Sequence, residues 1–256
     1  METLVTDRSD GVLSVMLNRP EKKNAANGPM WRELTDVFRQ AAANDEDRVV
    51  VVSGAGGDFC AGADLGDPEA GSVHPLVRMR MIGQAALALH AIPKPVIAKV
   101  DGVAVGAGCN LALGCDLLVA SDRARFSQIF ARRGLSIDFG GSWLLPRRVG
   151  LQKAKELAFF ADIIDAAEAE RIGLVNRVVP VAELDDFVAD WAARLAAGPP
   201  LALSSTKALL DDWTSMSLAE AIEREGAAQA VNGVSEDGRE ARQAFLEKRP
   251  AKFVGR

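Results

Sequence analysis

Lys94-Pro95-Val96-Ile97-Ala98-Lys99-Val100-Asp101-Gly102-Val103-Ala104-Val105-Gly106-Ala107-Gly108-Cys109-Asn110-Leu111-Ala112-Leu113 is the stretch on which the reading of this chain turns. Its opening is a short, β-branched apolar run with the length of a buried strand. Gly106-Ala107-Gly108 then lets the main chain turn where a side chain would obstruct it. Residues 109–113 are apolar and rich in good helix formers, so the stretch reads as strand, tight glycine turn and helix N-terminus. The first N–H groups of a helix have no intrahelical acceptor, and aligned peptide dipoles favour negative charge there. The N–H of Ala107 is therefore a candidate donor to an anion or a developing oxyanion. The same glycines also suit a close-packed strand–helix junction without chemistry, and both readings stand at this point. A dinucleotide fingerprint is excluded, because Leu111 occupies the place of its third glycine.

On either side, strands and helices alternate. Residues 12–17 and 49–53 read as strands, the second a continuous apolar run expected in a sheet covered on both faces. Pro29 opens a helix over 30–43, and a further helix spans 77–91. Residues 116–120 read as a strand, 141–149 as helical up to Pro146, and 152–160 and 166–173 as short helices. Residues 175–179 read as an edge strand. From 182 onward the pattern is helical, over 182–197, 200–213, 217–232 and 235–248. The break at Gly198-Pro199-Pro200 divides an α/β body, residues 1–197, from a C-terminal helical region, residues 198–256.

Composition narrows the function. The 256 residues are 48% apolar, enough for a sizeable core, and the net charge of −5 comes without a basic block. Nucleic acid is not an expected partner. The apolar run 102–115 is interrupted by Asn110 and falls short of the roughly 20 residues of a membrane span. The first seven residues carry no signal-peptide core, so a cytoplasmic protein without membrane contact is expected. Cys60, Cys109 and Cys115 form no Cys-x-x-Cys pair and fit reduced thiols. With only His74 and His90 besides, neither a metal site nor a Ser-His-Asp triad is expected.

Phe59-Cys60-Ala61-Gly62-Ala63-Asp64-Leu65, taken with Gly106-Ala107-Gly108-Cys109, resembles the crotonase (enoyl-CoA hydratase/isomerase) superfamily. Leu17-Asn18-Arg19-Pro20, Trp143-Leu144-Leu145-Pro146-Arg147-Arg148-Val149-Gly150 and Phe245-Leu246-Glu247-Lys248-Arg249-Pro250 extend the likeness over nearly the whole length. The resemblance implies an α/β spiral of ββα units with a C-terminal helical trimerisation region, assembled as a homotrimer or a dimer of trimers. It implies an acyl-CoA thioester substrate, with coenzyme A present only as part of that substrate and no separate cofactor. It also implies an oxyanion hole made from two main-chain N–H groups, by position those of Ala63 and Ala107. Alanine in place of the common glycine serves if its methyl points away. Ala61, Gly62, Asp64 and Leu65 would line the substrate, and Lys22 is a candidate for the CoA phosphates. For Asp64 a turn-stabilising job competes, and for Lys22 a plain surface position does.

The chain departs from the hydratases of that superfamily, which use two glutamates to hold and add water. Those positions fall on Asn110 and Phe130. Neither takes up a proton at neutral pH, so both are expected only to line the substrate, Asn110 by hydrogen bonding and Phe130 by filling space. Asp138, in Gly134-Leu135-Ser136-Ile137-Asp138-Phe139-Gly140-Gly141, resembles the aspartate of 1,2-epoxyphenylacetyl-CoA isomerase-like members. Helix N-capping is the competing reading of Asp138. As a single base in an apolar pocket walled by Phe130, Ile137, Phe139 and Trp143, it would move a proton between two carbons and so isomerise an acyl-CoA. A hydratase-type lyase, a nucleophilic aspartate and a non-catalytic acyl-CoA-binding member are the alternatives.

Overall fold

A computed structural model describes residues 1–256, the side chains of residues 70 and 213 excepted. In chain order its elements are β1 (Leu4–Ser9), β2 (Val12–Leu17), α1 (Gly28–Ala43), β3 (Val49–Gly54), α2 (Pro75–His90), β4 (Val96–Val100), β5 (Val103–Val105) and α3 (Ala107–Leu113). There follow β6 (Leu117–Ser121), β7 (Arg125–Ser127), α4 (Gly141–Val149), α5 (Leu151–Phe160), β8 (Ile164–Asp165), α6 (Ala166–Arg171) and β9 (Arg177–Val179). The chain ends in α7 (Leu184–Ala196), α8 (Pro200–Asp211), α9 (Leu218–Val234) and α10 (Glu236–Glu247).

The four consecutive valines of β3 are all buried because the sheet is covered on both faces. Side chains alternate across a strand. Val50 and Val52 therefore join the large core with α1, while Val49 and Val51 face the other way onto Leu184, Val188, Ala192 and Ala196 of α7. β4 repeats the division, with Val96 and Ala98 on one side and Ile97 on the other. Strand order in this main sheet is β1-β2-β3-β4-β6-β9, antiparallel between β1 and β2 and parallel elsewhere. α1 begins where Asn27 accepts from Met30 N at 3.1 Å with Pro29 in the first turn, and it buries Met30, Trp31, Leu34, Val37, Phe38 and Ala41.

A second, smaller sheet creates the functional face. After β4 the chain kinks at Asp101-Gly102 and re-enters as β5, which pairs with β7, and β7 pairs with β8. Isolated bridges add Cys60 beside Ala104 and Ala63 beside Ala26. β4-β5-α3 and β6-β7-α4 are thus successive β-β-α turns of a spiral.

Most helices fall where the periodicity puts them. Four strands do not emerge from the sequence. β1 lies in a polar stretch, half-exposed at the sheet edge, and β5, β7 and β8 are too short for a period-2 pattern to register. The expected break at Pro146 is also corrected, because α4 runs through it to Val149. Proline removes one ladder bond there, and the flanking turns hold through Leu144 N to Gly140 O at 2.9 Å and Gly150 N to Pro146 O at 3.0 Å. Among the described residues no helix is long and apolar enough to cross a membrane.

Candidate active site

The glycine turn is built as the sequence predicts. Gly106 has φ +58°, a left-handed conformation that excludes most side chains, and α3 starts at Ala107. Gly106 N donates to Ser127 O at 2.8 Å, which anchors the turn to β7.

The segment 59–64 is clamped alongside. Cys60 N donates to Val103 O at 2.8 Å and Val105 N to Cys60 O at 3.0 Å. On its other edge, Ala26 N donates to Gly62 O at 2.8 Å and Asp64 N to Ala26 O at 2.9 Å. In a parallel bridge this pattern leaves the N–H of the bridged residue, Ala63, directed away from its partner strand. Gly62 has φ +96° and lies against α3: a Cβ there would stand 3.6 Å from Ala107 N. Among the described residues neither Ala63 N–H nor Ala107 N–H has an acceptor. Ala107 itself is buried.

Asp138 lies beside the same turn. Asn110, one helical turn after Ala107, donates from its side-chain nitrogen to the main-chain oxygen of Asp138 at 2.9 Å. Asp138 Oδ1 is buried without a partner, and no hydrogen bond reaches either carboxylate oxygen among the described residues. Desolvation alone raises this carboxyl to about 6. The capping reading of Asp138 fails: the residue before α4 is Gly140, and Asp138 contributes only its main-chain oxygen, to Gly141 N at 2.8 Å.

The other candidates take distinct places. Phe130 is buried with its ring edge 3.8 Å from where a Cβ on Gly106 would be, so it packs over the turn before Ala107. Ala61 is half-buried and Gly62 buried, while Leu65 is exposed beside them. Asp64 is committed to structure, pairing with Arg19 Nη2 at 3.0 Å and accepting from Gly66 N at 2.9 Å. Burial pushes its carboxyl up, but Arg19 and the Gly66 N–H outweigh this and leave it below the usual carboxylate range. Lys22 ends an exposed 3-10 turn, Pro20–Lys22, on the same loop.

Two expectations need correction. Asn110 is fully buried with its amide spent on Asp138 O and on Gln128, whose Nε2 donates to Asn110 Oδ1 at 2.8 Å, so it backs the site rather than lining it. Trp143 turns instead to His90, ring centroids 5.2 Å apart, with Arg147 stacked 3.5 Å over its ring. Gln128 and Arg19 were not singled out by the sequence. Gln128 follows a strand too short to read, and Arg19 declares itself only through its pairing with Asp64. The buried thiols of Cys60 and Cys109 are pushed up to about 12, far from nucleophilic at neutral pH.

A spiral of β-β-α turns capped by a C-terminal helical region is the crotonase fold. The chain belongs to the enoyl-CoA hydratase/isomerase family, whose model matches residues 7–256. It is 41% identical over 255 residues to a Rhodobacter capsulatus protein named probable enoyl-CoA hydratase, covering 99% of this chain and 98% of that one. It is 35% identical over 261 residues to the Escherichia coli 1,2-epoxyphenylacetyl-CoA isomerase, covering both chains in full at 100%. A solved enoyl-CoA hydratase from Bacillus anthracis superposes with a TM-score of 0.94 at 32% identity, covering 99% of this chain and 100% of that one.

Proposed function

We propose that this enzyme isomerises an acyl-CoA thioester, with Asp138 as its single acid and base and the N–H groups of Ala63 and Ala107 as its oxyanion hole. The observation that carries this reading is a lone desolvated carboxyl, raised to about 6, tied through Asn110 to the helix that begins at Ala107. The thioester oxygen accepts from both amides. The Asp138 carboxylate takes a proton from the carbon next to the thioester, or from the γ carbon of a 2-enoyl thioester, and the electron pair flows to the oxygen as an enolate. Each oxyanion donor contributes about 3–4 kcal/mol to such a step. The same carboxyl returns the proton to another carbon of the enolate, so no atom is gained or lost and no activated water is needed. A group titrating near 6 is ionised at neutral pH yet basic enough to accept a carbon-bound proton.

Leu65 and Phe130 supply apolar surface beside the amides, and Lys22 offers a cation to the CoA phosphates. Coenzyme A enters only with the substrate. Exposed apolar side chains on the C-terminal helices, Leu218 and Val234 on α9 and Phe245 on α10, support burial between copies in a trimer or a dimer of trimers. Light scattering on the purified protein reads that directly.

The relatives' names favour hydration as a second reading. A panel of 2-enoyl-, 3-enoyl-, dienoyl- and aryl-epoxide CoA thioesters in deuterated water, followed by mass spectrometry, separates the two. Isomerisation exchanges carbon-bound hydrogen without adding the mass of water. Water addition that survives Asp138→Asn overturns the proposal, as does binding without turnover across the panel.

A further inference from the structure

Asn110 and Gln128 form a buried amide chain that ends on the loop carrying Asp138. Asn110 is 0% exposed and Gln128 2%. Gln128 Nε2 donates to Asn110 Oδ1 at 2.8 Å, and Asn110 Nδ2 donates to Asp138 O at 2.9 Å. Gln128 Nε2 also reaches Cys109 Sγ at 3.5 Å. The loop it holds is not relaxed at Phe139, which has φ +48°. A left-handed residue other than glycine persists only where its surroundings enforce it. Gly141 is pressed against the Asn110 amide so closely that a Cβ there would overlap Cγ, at 2.6 Å.

Among the described residues nothing grips the Asp138 carboxylate itself, so its direction is set by its main chain. The Asn110 bond holds the Asp138 carbonyl directly, and Asn110 also belongs to α3, donating its own N to Gly106 O at 3.0 Å. One side chain thus links the Ala107 turn to the loop of the base.

We infer that Asn110, backed by Gln128, is a positioning residue that sets the placement of the Asp138 carboxyl relative to the Ala107 amide. This rests on the reading of Asp138 as the proton carrier. Asn110 does its work through Asp138 and touches no substrate, so its loss lowers the rate of proton transfer and leaves thioester binding intact.

The test uses Asn110→Leu, which keeps the shape of the side chain and removes both hydrogen bonds. Carbon-13 NMR of the aspartate carboxyls, with Asp138→Asn identifying the resonance, follows the Asp138 titration without any substrate. In the unaltered enzyme the expected midpoint is near 6, as burial of the carboxyl dictates. In Asn110→Leu the loosened loop admits water, and the midpoint falls toward the ordinary carboxylate range. With 2-hexenoyl-CoA in deuterated water as probe, kcat for exchange falls about 100-fold, as expected for a displacement near 1 Å, while KM changes less than about twofold. Should Asn110→Leu fail to fold, Asn110→Ala, in a residue type that favours the helix, removes the same bond to Asp138 O, and the same midpoint shift is read there. An unmoved midpoint in the folded variant overturns the inference. Exchange that persists in Asp138→Asn overturns the underlying reading instead, and the two failures are separable.

Discussion

Phe139 stacks on Trp31 with ring centroids 5.4 Å apart and planes tilted by 38°. Trp31 is wholly buried on α1, and Phe139 is 3% exposed. The ring therefore plugs into the main core, with residue 139 itself at a positive φ of +48°. Truncation by Phe139→Ala should cost about 3–5 kcal/mol, the usual loss for emptying an aromatic core site. Chemical denaturation measures this. Exchange should fall at denaturant concentrations where the variant is still folded, because the loop loses its anchor.

Under the proposed mechanism the pH dependence of turnover follows from burial of Asp138: its carboxyl, raised to about 6, must be ionised to take a proton from carbon. The exchange rate should rise through a midpoint near 6 and level off above it. A rate that is flat from pH 5 to pH 8 would remove Asp138 as the base.

Stability should run in the opposite sense. A carboxyl whose folded value exceeds its unfolded value of about 3.9 stabilises the fold while protonated, fully below that lower value. The contribution disappears as pH rises through about 6. Asp138→Asn removes the cost of the buried charge, so its melting temperature should exceed that of the unaltered enzyme above pH 6 and match it near pH 4. For a chain of this size each kcal/mol is worth about 2–4 °C. A gap that does not change with pH contradicts the desolvated carboxylate.

Gly62→Ala strikes the amide pair. Position 62 has φ +96°, and a Cβ would stand 2.8 Å from Val105 O, a rigid backbone atom of β5. The substitution should cost about 1–3 kcal/mol in backbone strain and swing Ala63 N–H away from Ala107. If Ala63 N–H is the proposed oxyanion donor, its loss is worth about 100- to 1,000-fold in kcat. Steady-state kinetics beside a thermal melt measures both. Full activity in a destabilised Gly62→Ala enzyme would detach Ala63 from catalysis.

Helices and long strands were legible in the sequence because their periodicity is carried by many residues. The valine run of β3 announced a two-sided sheet, and Gly106-Ala107-Gly108 announced the turn before α3. The small sheet was not legible: β5, β7 and β8 hold too few residues for any pattern, and their pairing is a tertiary outcome. Asp138 could be picked out because Asn110 and Phe130 stand where a two-glutamate pattern would put its acids, and an aspartate eight residues after Phe130 resembles the isomerase-like members. Its mode of support could not be read, because a main-chain oxygen leaves no mark in a sequence. Asn110 illustrates the limit. Residue identity suggested a hydrogen-bonding partner for substrate, whereas burial directs it to the protein's own backbone.

The bridges at Ala26–Ala63, Cys60–Ala104 and Val105–Ser127 join chain segments that are synthesised far apart in time. Closing such long loops is entropically slow, so these contacts form after the helices and local hairpins. During refolding, helical circular dichroism should recover first and enzymatic competence later. A nascent chain stalled before β7 emerges would carry both alanine amides, yet would lack the Ser127 carbonyl that anchors Gly106.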